Sequence, residues 1–251
     1  MRLNQNIEIV DGLPFLFMRN DLMLVCSDLH LGYEGVMARR GIFLPKKNLN
    51  TIKSIFSEAV KRTGARQLIV TGDVKNDFSD ITDEEYSELT ELISFLKEDL
   101  KMKNIILIKG NHDNFLNRIK HIPGMTIRDQ EFLSGRMLFI HGDSMPKETE
   151  WDTVIMGHVH PSIMLYDRIG SKDKVRCFLY GVMHSGKCLI IIPALNFFAG
   201  GIDLNSEDIS KMSPLFKEIN IQDMKVVTIS EGESFSLGTL AEVRSALRRI
   251  A

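Results

Sequence analysis

Five short polar clusters carry the side chains of this sequence that are best suited to chemistry, and they contain five of its seven histidines. In chain order the clusters are Asp28-Leu29-His30, Gly72-Asp73, Gly110-Asn111-His112-Asp113, His141-Gly142-Asp143 and Gly157-His158-Val159-His160. Each follows a short apolar run, which is typical of strands that end at one edge of a sheet. Imidazoles, carboxylates and amide oxygens are ligands of divalent metals of intermediate hardness. The ordered set therefore predicts a metal-dependent enzyme.

Two of the clusters place ligand-type residues two positions apart. On extended backbone this spacing puts both side chains on one face, so Asp28 and His30 can bind one metal together. By the same argument, the rings of His158 and His160 can be directed to one site. The carboxylate of Asp73 can bridge two cations, although a Gly-Asp pair alone is also a common turn. Five such clusters at successive strand ends favour the metal site over unrelated turns and buried histidines.

The third cluster offers both a ligand and an acid. Asn111 has a neutral carbonyl oxygen that can bind a cation, and His112 is suited to protonating a leaving group beside such a centre. Asp113 can accept a hydrogen bond from one ring nitrogen and fix the tautomer of His112. The alternative is a helix N-terminus, with Asn111 or Asp113 as the cap and His112 exposed.

The motif order DxH, GD, GNHD, HG and GHxH over residues 28–160 resembles that of the calcineurin-like metallophosphoesterase superfamily. The resemblance implies a mixed α/β fold, a two-sheet β-sandwich flanked by helices (αββα), with two metals at the sheet ends. It assigns the first metal to Asp28, His30 and His160, the second to Asn111, His141 and His158, the bridge to Asp73 and catalysis to His112.

Residues around the motifs resemble the Icc-like branch, which includes the DNA-ligase-associated phosphoesterases. The matching segments are 28–34, 72–75, 157–161, 193–196 and 200–203. Asn76-Asp77 departs from the His-Glu pair that tends to follow in relatives. The likeness reaches about residue 205, so we expect a single metallophosphoesterase domain over 1–251 with a C-terminal extension, 205–251, packed on it.

The resemblance implies hydrolysis of a phosphate ester by a metal-activated hydroxide, with His112 protonating the leaving group. The resemblance to the ligase-associated branch makes a phosphodiesterase acting on nucleotides or nucleic-acid ends the first expectation. No long insertion suggests a capping or DNA-clamping domain, which favours small or single-stranded substrates. A phosphomonoesterase, a cyclic-nucleotide phosphodiesterase and a metal-free binding scaffold are the alternatives, and the complete motif set disfavours the scaffold. Two divalent cations are expected, with Mn²⁺ first, because it is common in relatives, and Zn²⁺ or Fe compatible.

Three basic residues are candidates for contact with the substrate phosphate. Lys75 lies two residues after Asp73, and the alternative is a solvated loop lysine. Arg39 and Arg40 precede Gly41 and can reach the substrate, although a solvated pair at a helix end is favoured.

The whole-chain composition excludes several other classes. A net charge of -2 over 251 residues gives no global basic field, so binding to long duplex nucleic acid is not suggested. The three cysteines form no CxxC pair, which argues against a zinc ribbon or a disulfide framework. No apolar stretch approaches membrane-spanning length, so we expect a cytoplasmic protein with no membrane partner. The sequence leaves the oligomeric state open.

The elements that must position the clusters follow from hydrophobic periodicity. The pattern predicts a hairpin over 6–18 and then alternating strands and helices at 23–27, 46–62, 67–71, 83–100 and 104–108. Strand-like runs with short connections follow at 137–141, 153–156, 162–166, 175–180 and 187–193. They predict a second, largely antiparallel or mixed sheet. In the tail, a helix-like stretch is expected near 207–218, a strand at 224–229 and an amphipathic helix near 239–250.

Overall fold

Two β-sheets form the fold in a computed structural model that describes residues 1–166 and 172–248. The strands of the first sheet, in spatial order, are β1 (Ile7–Ile9), β2 (Leu16–Met18), β3 (Met23–Cys26), β4 (Gln67–Thr71), β5 (Asn104–Ile108) and β6 (Thr126–Arg128). Antiparallel pairing joins β1 to β2 and β2 to β3, whereas β3 to β6 are parallel. The predicted opening hairpin and the alternation of strand and helix are thus confirmed.

Three helices connect the parallel strands: α1 (Tyr33–Arg39), α2 (Asn48–Thr63) and α3 (Asp83–Glu98). The apolar faces of α2 and α3 pack with the first sheet, where Phe56 and Leu92 are buried together with Leu68 and Leu107 of the strands. Crossover connections of this kind keep the carboxyl ends of parallel strands at one edge. Within the described parts of the chain, no helix has the length and apolar content to cross a bilayer.

The second sheet is mixed and is built from the later part of the chain. Its strands are β7 (Glu131–Ser134), β8 (Met137–Ile140), β9 (Thr153–Met156), β10 (Pro161–Tyr166), β11 (Lys172–Val182), β12 (Cys188–Ile191), β13 (Ile202–Asp203), β14 (Lys225–Ser230) and β15 (Glu233–Thr239). Between the sheets, Val25 and Ile69 of the first pack with Phe139, Ile155 and Phe178 of the second. The expected mixed α/β sandwich of two sheets is therefore confirmed.

The C-terminal segment packs on the outer face of the second sheet. Strand β14 pairs with β11. Helix α4 (Leu240–Arg248) buries Leu240 and Val243 against apolar residues of the second sheet, among them Leu179 and Leu189. The strand predicted at 224–229 is confirmed, and so is the final helix as far as residue 248, since 249–251 lie outside the described residues. The division into a domain and an extension at residue 205 stays a prediction.

The helix-like stretch predicted at 207–218 is wrong in its first half. Only a short 3-10 helix, Pro214–Glu218, forms there, and Ser213 precedes it with extended backbone and caps it. A residue before proline is disfavoured in the α conformation, so Pro214 begins a helix and cannot continue one. The apolar residues of the segment still pack inward, because Leu215 and Phe216 are buried.

The N-terminus of α3 carries a capping box. The backbone N–H of Glu85 donates to Thr82 Oγ1 at 3.2 Å, and the N–H of Thr82 donates to Glu85 Oε2 at 2.9 Å. The other oxygen of Glu85 accepts from the N–H groups of Asn76 and Asp77, at 3.0 and 2.8 Å. Glu85 therefore ties the start of α3 to the loop that follows β4.

We expect Thr82→Ala to lower the free energy of unfolding by about 1 kcal/mol, because it removes the acceptor that caps the helix. The control is Ser87→Ala, at an exposed position within α3, which should be neutral or slightly stabilising. Urea denaturation of both variants measures the effect, and equal stabilities would contradict the importance of the cap.

Candidate metal centre

The five polar clusters meet at one end of both sheets. Backbone hydrogen bonds hold the loop after β3 to the loop after β4: the Asp28 N–H donates to Gly72 O at 3.0 Å and the His30 N–H to Asp73 O at 2.9 Å. In the second sheet, the Gly157 N–H donates to His141 O, also at 3.0 Å. Because neighbouring strands end together, their following residues share one pocket.

Ligand atoms of the clusters form two groups that share one carboxylate. Within each group the atoms lie within 4.8 Å of one another, and the groups are Asp28, His30, Asp73 and His160, and Asp73, His141 and His158. Asn111 Oδ1 lies 3.0 Å from His141 Nε2 and adds an amide oxygen to the second group. His158 and His160 fall in different groups within this one pocket.

Backbone carbonyls fix the orientation of three of the rings. His141 Nδ1 is 3.0 Å from Thr71 O, His160 Nδ1 is 3.2 Å from Ala199 O, and His158 Nε2 is 3.0 Å from Met212 O. A carbonyl oxygen only accepts, so each of these nitrogens carries the proton. The other nitrogen of each ring then directs its lone pair into the site, as metal-binding histidines do.

The donor set fits divalent cations. His141 Nε2 and His158 Nδ1 are 3.0 Å apart, and His30 Nε2 and His160 Nε2 are 3.3 Å apart. In the pair of His141 and His158, two lone pairs at this distance require a proton or a cation between them. The buried carboxylate of Asp73 lies 3.4 Å from His141 Nε2, and imidazole, carboxylate and amide oxygen together suit Mn²⁺, Fe or Zn²⁺.

The electrostatics of the pocket keep its carboxylates charged. Burial alone would raise the pKa of Asp28, but His160, His141 and His30 lower it far below the ordinary value. Burial would likewise lower the pKa of His141, yet its bond to Asp73 raises the pKa to about 9. Burial, and then the charge of His160, lowers the pKa of His30 to about 4. The buried negative charge therefore attracts positive charge into the pocket.

Five of the clustered residues have a left-handed backbone. Their φ angles are +57° at Asp28, +42° at His30, +49° at Asp73, +67° at His158 and +46° at His160. This corrects the expectation of extended backbone at the two pairs spaced by two residues. The conformation lets the ligand side chains converge while Leu29 and Val159 between them are buried in the core. Each such residue costs roughly 1–3 kcal/mol, and strain of this kind concentrates at functional sites.

Glycines next to the ligands allow the close packing of the pocket. A Cβ on Gly157 would overlap Ser27 Oγ and lie 2.6 Å from Asp28 Oδ2, and one on Gly110 would overlap the Asp73 carboxylate. No side chain fits at these two positions without displacing a ligand. The glycines in the GNHD and GHxH motifs thus have a steric purpose.

His112 lies beside the two ligand groups, and its ring has a fixed orientation. Its Nδ1 lies 2.6 Å from the carbonyl oxygen of Asn76, so Nδ1 carries a proton and donates it there. Its Nε2 lies 3.7 Å from Asp73 Oδ2 and remains partly accessible. The ring therefore presents Nε2 to the pocket.

The expected role of Asp113 as the partner of the His112 ring is wrong. The buried carboxylate of Asp113 accepts from the backbone N–H groups of Val74, Lys75 and Gly110, at 2.9 to 3.1 Å. Burial, and then the charge of Asp73, raises its pKa to about 6. Three buried N–H groups converge where only a carboxylate has enough acceptor sites. Asp113 thus holds the loops that carry Asp73 and Asn111, and Asn76 orients His112.

The structure does not direct the three basic candidates to the pocket. Lys75 is buried, and its Nζ donates to the carbonyl oxygens of Asp77 and of Ser79, the latter at 2.8 Å. Arg39 Nη2 lies 2.7 Å from Asp77 Oδ2, and Arg40 is exposed at the end of α1. For Lys75 this corrects the expected phosphate contact, because two loop carbonyls already hold its ammonium group.

Three residues that support the pocket escaped the sequence analysis: Asn76, Ala199 and Met212. Each contributes only its backbone carbonyl, as acceptor for His112, His160 and His158. Every residue type has such a carbonyl, so no sequence signal marks these positions.

We expect Asp113→Ala to lower the free energy of unfolding by about 3 kcal/mol or more, because it leaves three buried N–H groups without an acceptor. The exposed Asp99→Ala is the matched control and should change stability by less than about 0.5 kcal/mol. Chemical denaturation of both variants is the measurement. A loss as small as that of the control would refute the supporting role of Asp113.

Comparison with known proteins places the chain. The sequence model of the calcineurin-like phosphoesterases matches residues 22–161, and no curated protein matches significantly. Among solved structures, the nuclease MPE of Pseudomonas putida has a TM-score of 0.60 at 17% identity, covering 89% of this chain and 93% of that chain. The phosphoesterase YfcE of E. coli has a TM-score of 0.42 at 15% identity, covering 86% of this chain and 98% of that chain.

The fold, the convergent ligands and the family match agree with one another. The likeness to the nuclease, at its low identity, supports the fold alone. The matched range 22–161 covers more than half of the 251 residues and includes all five polar clusters. The chain therefore belongs to the calcineurin-like phosphoesterase family of metal-dependent phosphohydrolases.

Proposed function

We propose that the chain is a phosphodiesterase that uses two metal ions and acts on nucleotides or nucleic-acid ends. The observation that carries this proposal is the position of Asp73, whose carboxylate belongs to both ligand groups. A shared carboxylate is the expected bridge of a dinuclear centre. The proposal also places this chain near the DNA-ligase-associated branch that its motifs resemble.

The residues of each group would hold one cation. Asp28, His30 and His160 would bind the first, Asn111, His141 and His158 the second, and Asp73 both. When bound, the two cations would supply positive charge for the phosphoryl oxygens and lower the pKa of a water molecule. We propose Mn²⁺ as the native metal, with Zn²⁺ or Fe as alternatives that the same donors accept.

Residues of the chain would donate the proton to the leaving group and hold the catalytic side chains in position. His112, protonated at Nε2, would donate that proton to the oxygen of the leaving group. The carbonyl of Asn76 would keep the ring in place, because it binds Nδ1 at 2.6 Å. Asp113 would act indirectly, because its hydrogen bonds with backbone N–H groups position the loops of Asp73 and Asn111.

The choice of substrate rests on support of a different kind. The motif resemblance favours phosphodiesters of nucleotides or nucleic-acid ends, and one structural neighbour is named as a nuclease. All three cysteines are free, and two of them, Cys26 and Cys177, are buried. Free thiols suit the reducing cytoplasm that we propose as the location.

Metal content distinguishes a shared ligand from an unshared one. We expect the wild-type protein to bind two equivalents of Mn²⁺, His30→Ala to keep about one, and Asp73→Ala to keep less than one, because only Asp73 serves both groups. Elemental analysis after equilibrium dialysis measures the stoichiometry. Equal loss in the two variants would contradict the bridging position.

His112→Ala should retain its metal and lose roughly 10²- to 10⁴-fold in kcat, the usual contribution of a positioned general acid. The exposed His184 lies outside both ligand groups, so His184→Ala is the matched control and should match the wild type. Turnover in His112→Ala equal to that of the control would exclude the assigned role.

The substrate class is tested with one panel in Mn²⁺, Zn²⁺, Fe²⁺ and Mg²⁺. It contains a generic phosphodiester, a generic phosphomonoester, 2′,3′-cyclic nucleotides and 3′-tailed DNA. Turnover of the diesters without the monoester supports the proposal. Turnover of the monoester alone, or of cyclic nucleotides alone, would replace it with the corresponding alternative, and no turnover in a metal-free protein would point to a scaffold.

A further inference from the structure

Two exposed phenylalanines flank the candidate metal centre, and neither has a part in the chemistry above. The side chains of Phe78 and Phe197 are 57% and 70% exposed. Each belongs to a loop that supports a histidine of the site. Phe78 lies in the loop whose Asn76 carbonyl binds His112, and Phe197 precedes Ala199, whose carbonyl binds His160. Exposed aromatic rings fixed at the rim of a site point to a ligand with flat faces.

On one side, the ring of Phe78 lies against the proposed general acid. Its centroid is 3.6 Å from that of His112, with 31° between the planes. The backbone carbonyl of Phe78 also accepts from the side-chain amide of Asn114 at 3.3 Å, which links this loop to the GNHD segment. A group that leaves toward His112 would therefore come close to the ring of Phe78.

On the other side, Phe197 lines a cavity of about 470 Å³ that opens beside His160. The guanidinium of Arg176 lies 5.8 Å from the Phe197 ring centroid, and Asn196 also lines the wall. Sites for small ligands occupy roughly 300–1,000 Å³, so this cavity has room for a nucleoside. One polar wall and one aromatic wall would suit its sugar and its base.

The two phenylalanines lie on opposite flanks of the same centre. The ring of His30 contacts the ring of His112 at 4.9 Å and that of His160 at 5.1 Å between centroids. His30 thus lies between the histidine beside Phe78 and the histidine beside the Phe197 cavity. A phosphodiester at the metal centre would have one of its two substituents directed to each phenylalanine.

Charge alone does not explain binding in the cavity. Its wall carries Asp173 and Glu231 as well as Lys174 and Arg176. Both basic side chains also donate to backbone carbonyls. Lys174 donates to Gly200 and Gly201, and Arg176 donates to Ala194 and Leu195. Basic side chains held this way have less capacity to neutralise a phosphate chain. Stacking on the rings is therefore the stronger candidate for recognition.

We propose that Phe78 and Phe197 are stacking platforms for nucleobases on the two sides of the scissile phosphate. The substrate is then a single-stranded oligonucleotide with a base on each side, the leaving nucleoside lying on Phe78. This inference rests on the proposed function, because it places the scissile phosphate at the metal centre. Base-aromatic stacking tolerates any sequence, since every base has a π-face.

A binding measurement distinguishes recognition of the bases from recognition of the sugar-phosphate backbone. Fluorescence anisotropy on the Mn²⁺-loaded protein compares a labelled hexathymidylate with an abasic strand of equal length, both with phosphorothioate linkages that resist cleavage. We expect Phe78→Ala and Phe197→Ala each to weaken binding of hexathymidylate roughly 5- to 150-fold, the fold-change that corresponds to about 1–3 kcal/mol per stacked base. Binding of the abasic strand should change by less than about two-fold.

The controls keep the test specific. Phe235 on β15 is 47% exposed and lies outside the site and its cavity, so Phe235→Ala should bind both strands as the wild type does. Phe78→Trp and Phe197→Trp should restore binding of hexathymidylate, because tryptophan also stacks. Hexauridylate with the same backbone, measured in parallel, distinguishes RNA from DNA as the preferred strand.

The outcomes separate this inference from the proposed function. Equal affinity of the wild type for the base-containing and abasic strands overturns the stacking platforms, even if diesters are hydrolysed. So does a loss of affinity in the phenylalanine variants that is the same for both strands. Base-dependent binding without turnover of any diester would instead overturn the proposed function and leave the platforms standing.

Discussion

The burial of two charged carboxylates beside each other is the constraint on which the rest of the structure depends. Asp28 and Asp73 are almost fully inaccessible to solvent, and although burial opposes the charge of Asp73, its bond to His141 lowers the pKa of Asp73 below the ordinary value. Buried charges are costly unless opposite charge and hydrogen bonds compensate them. The pocket supplies both: imidazoles surround the carboxylates, and the N–H of His112 donates to Asp73 Oδ1 at 3.0 Å.

The two sheets stabilise this arrangement. Parallel strands β3, β4 and β5 end side by side, while β8 and β9 bring their own loops to the same place from the second sheet. Left-handed backbone at the ligands is unfavourable for each residue by itself. Hydrogen bonds between adjacent loops, and the buried Leu29 and Val159 between the ligands, hold that backbone in place. The core thus stabilises a pocket that could not exist in an isolated loop.

Much of this was predictable, because strands and helices follow from local periodicity. The strands β1 to β5, the helices α2 and α3, and the meeting of the clusters at one edge are as expected, whereas β6 was not predicted. The partner of His112 was not predictable, because the choice between Asp113 and the carbonyl of Asn76 depends on tertiary packing. Sequence spacing also predicted the wrong backbone for both pairs of ligands spaced by two residues, since their φ angles are left-handed and not extended. Pro214 is the opposite case, because this proline is a local signal in the sequence that a helix near 207–218 can begin only there.

The carbonyl of Met212 has a consequence for the order in which the protein matures. It fixes His158, yet it lies 54 residues later in the chain and beyond the range 22–161 that the family model matches. During synthesis from the N-terminus, the five clusters emerge before this acceptor does. The second ligand group therefore acquires its final ring orientation only after the C-terminal segment has docked on the second sheet. The completed second ligand group is in this sense a late product of folding, because it depends on a later segment of the chain.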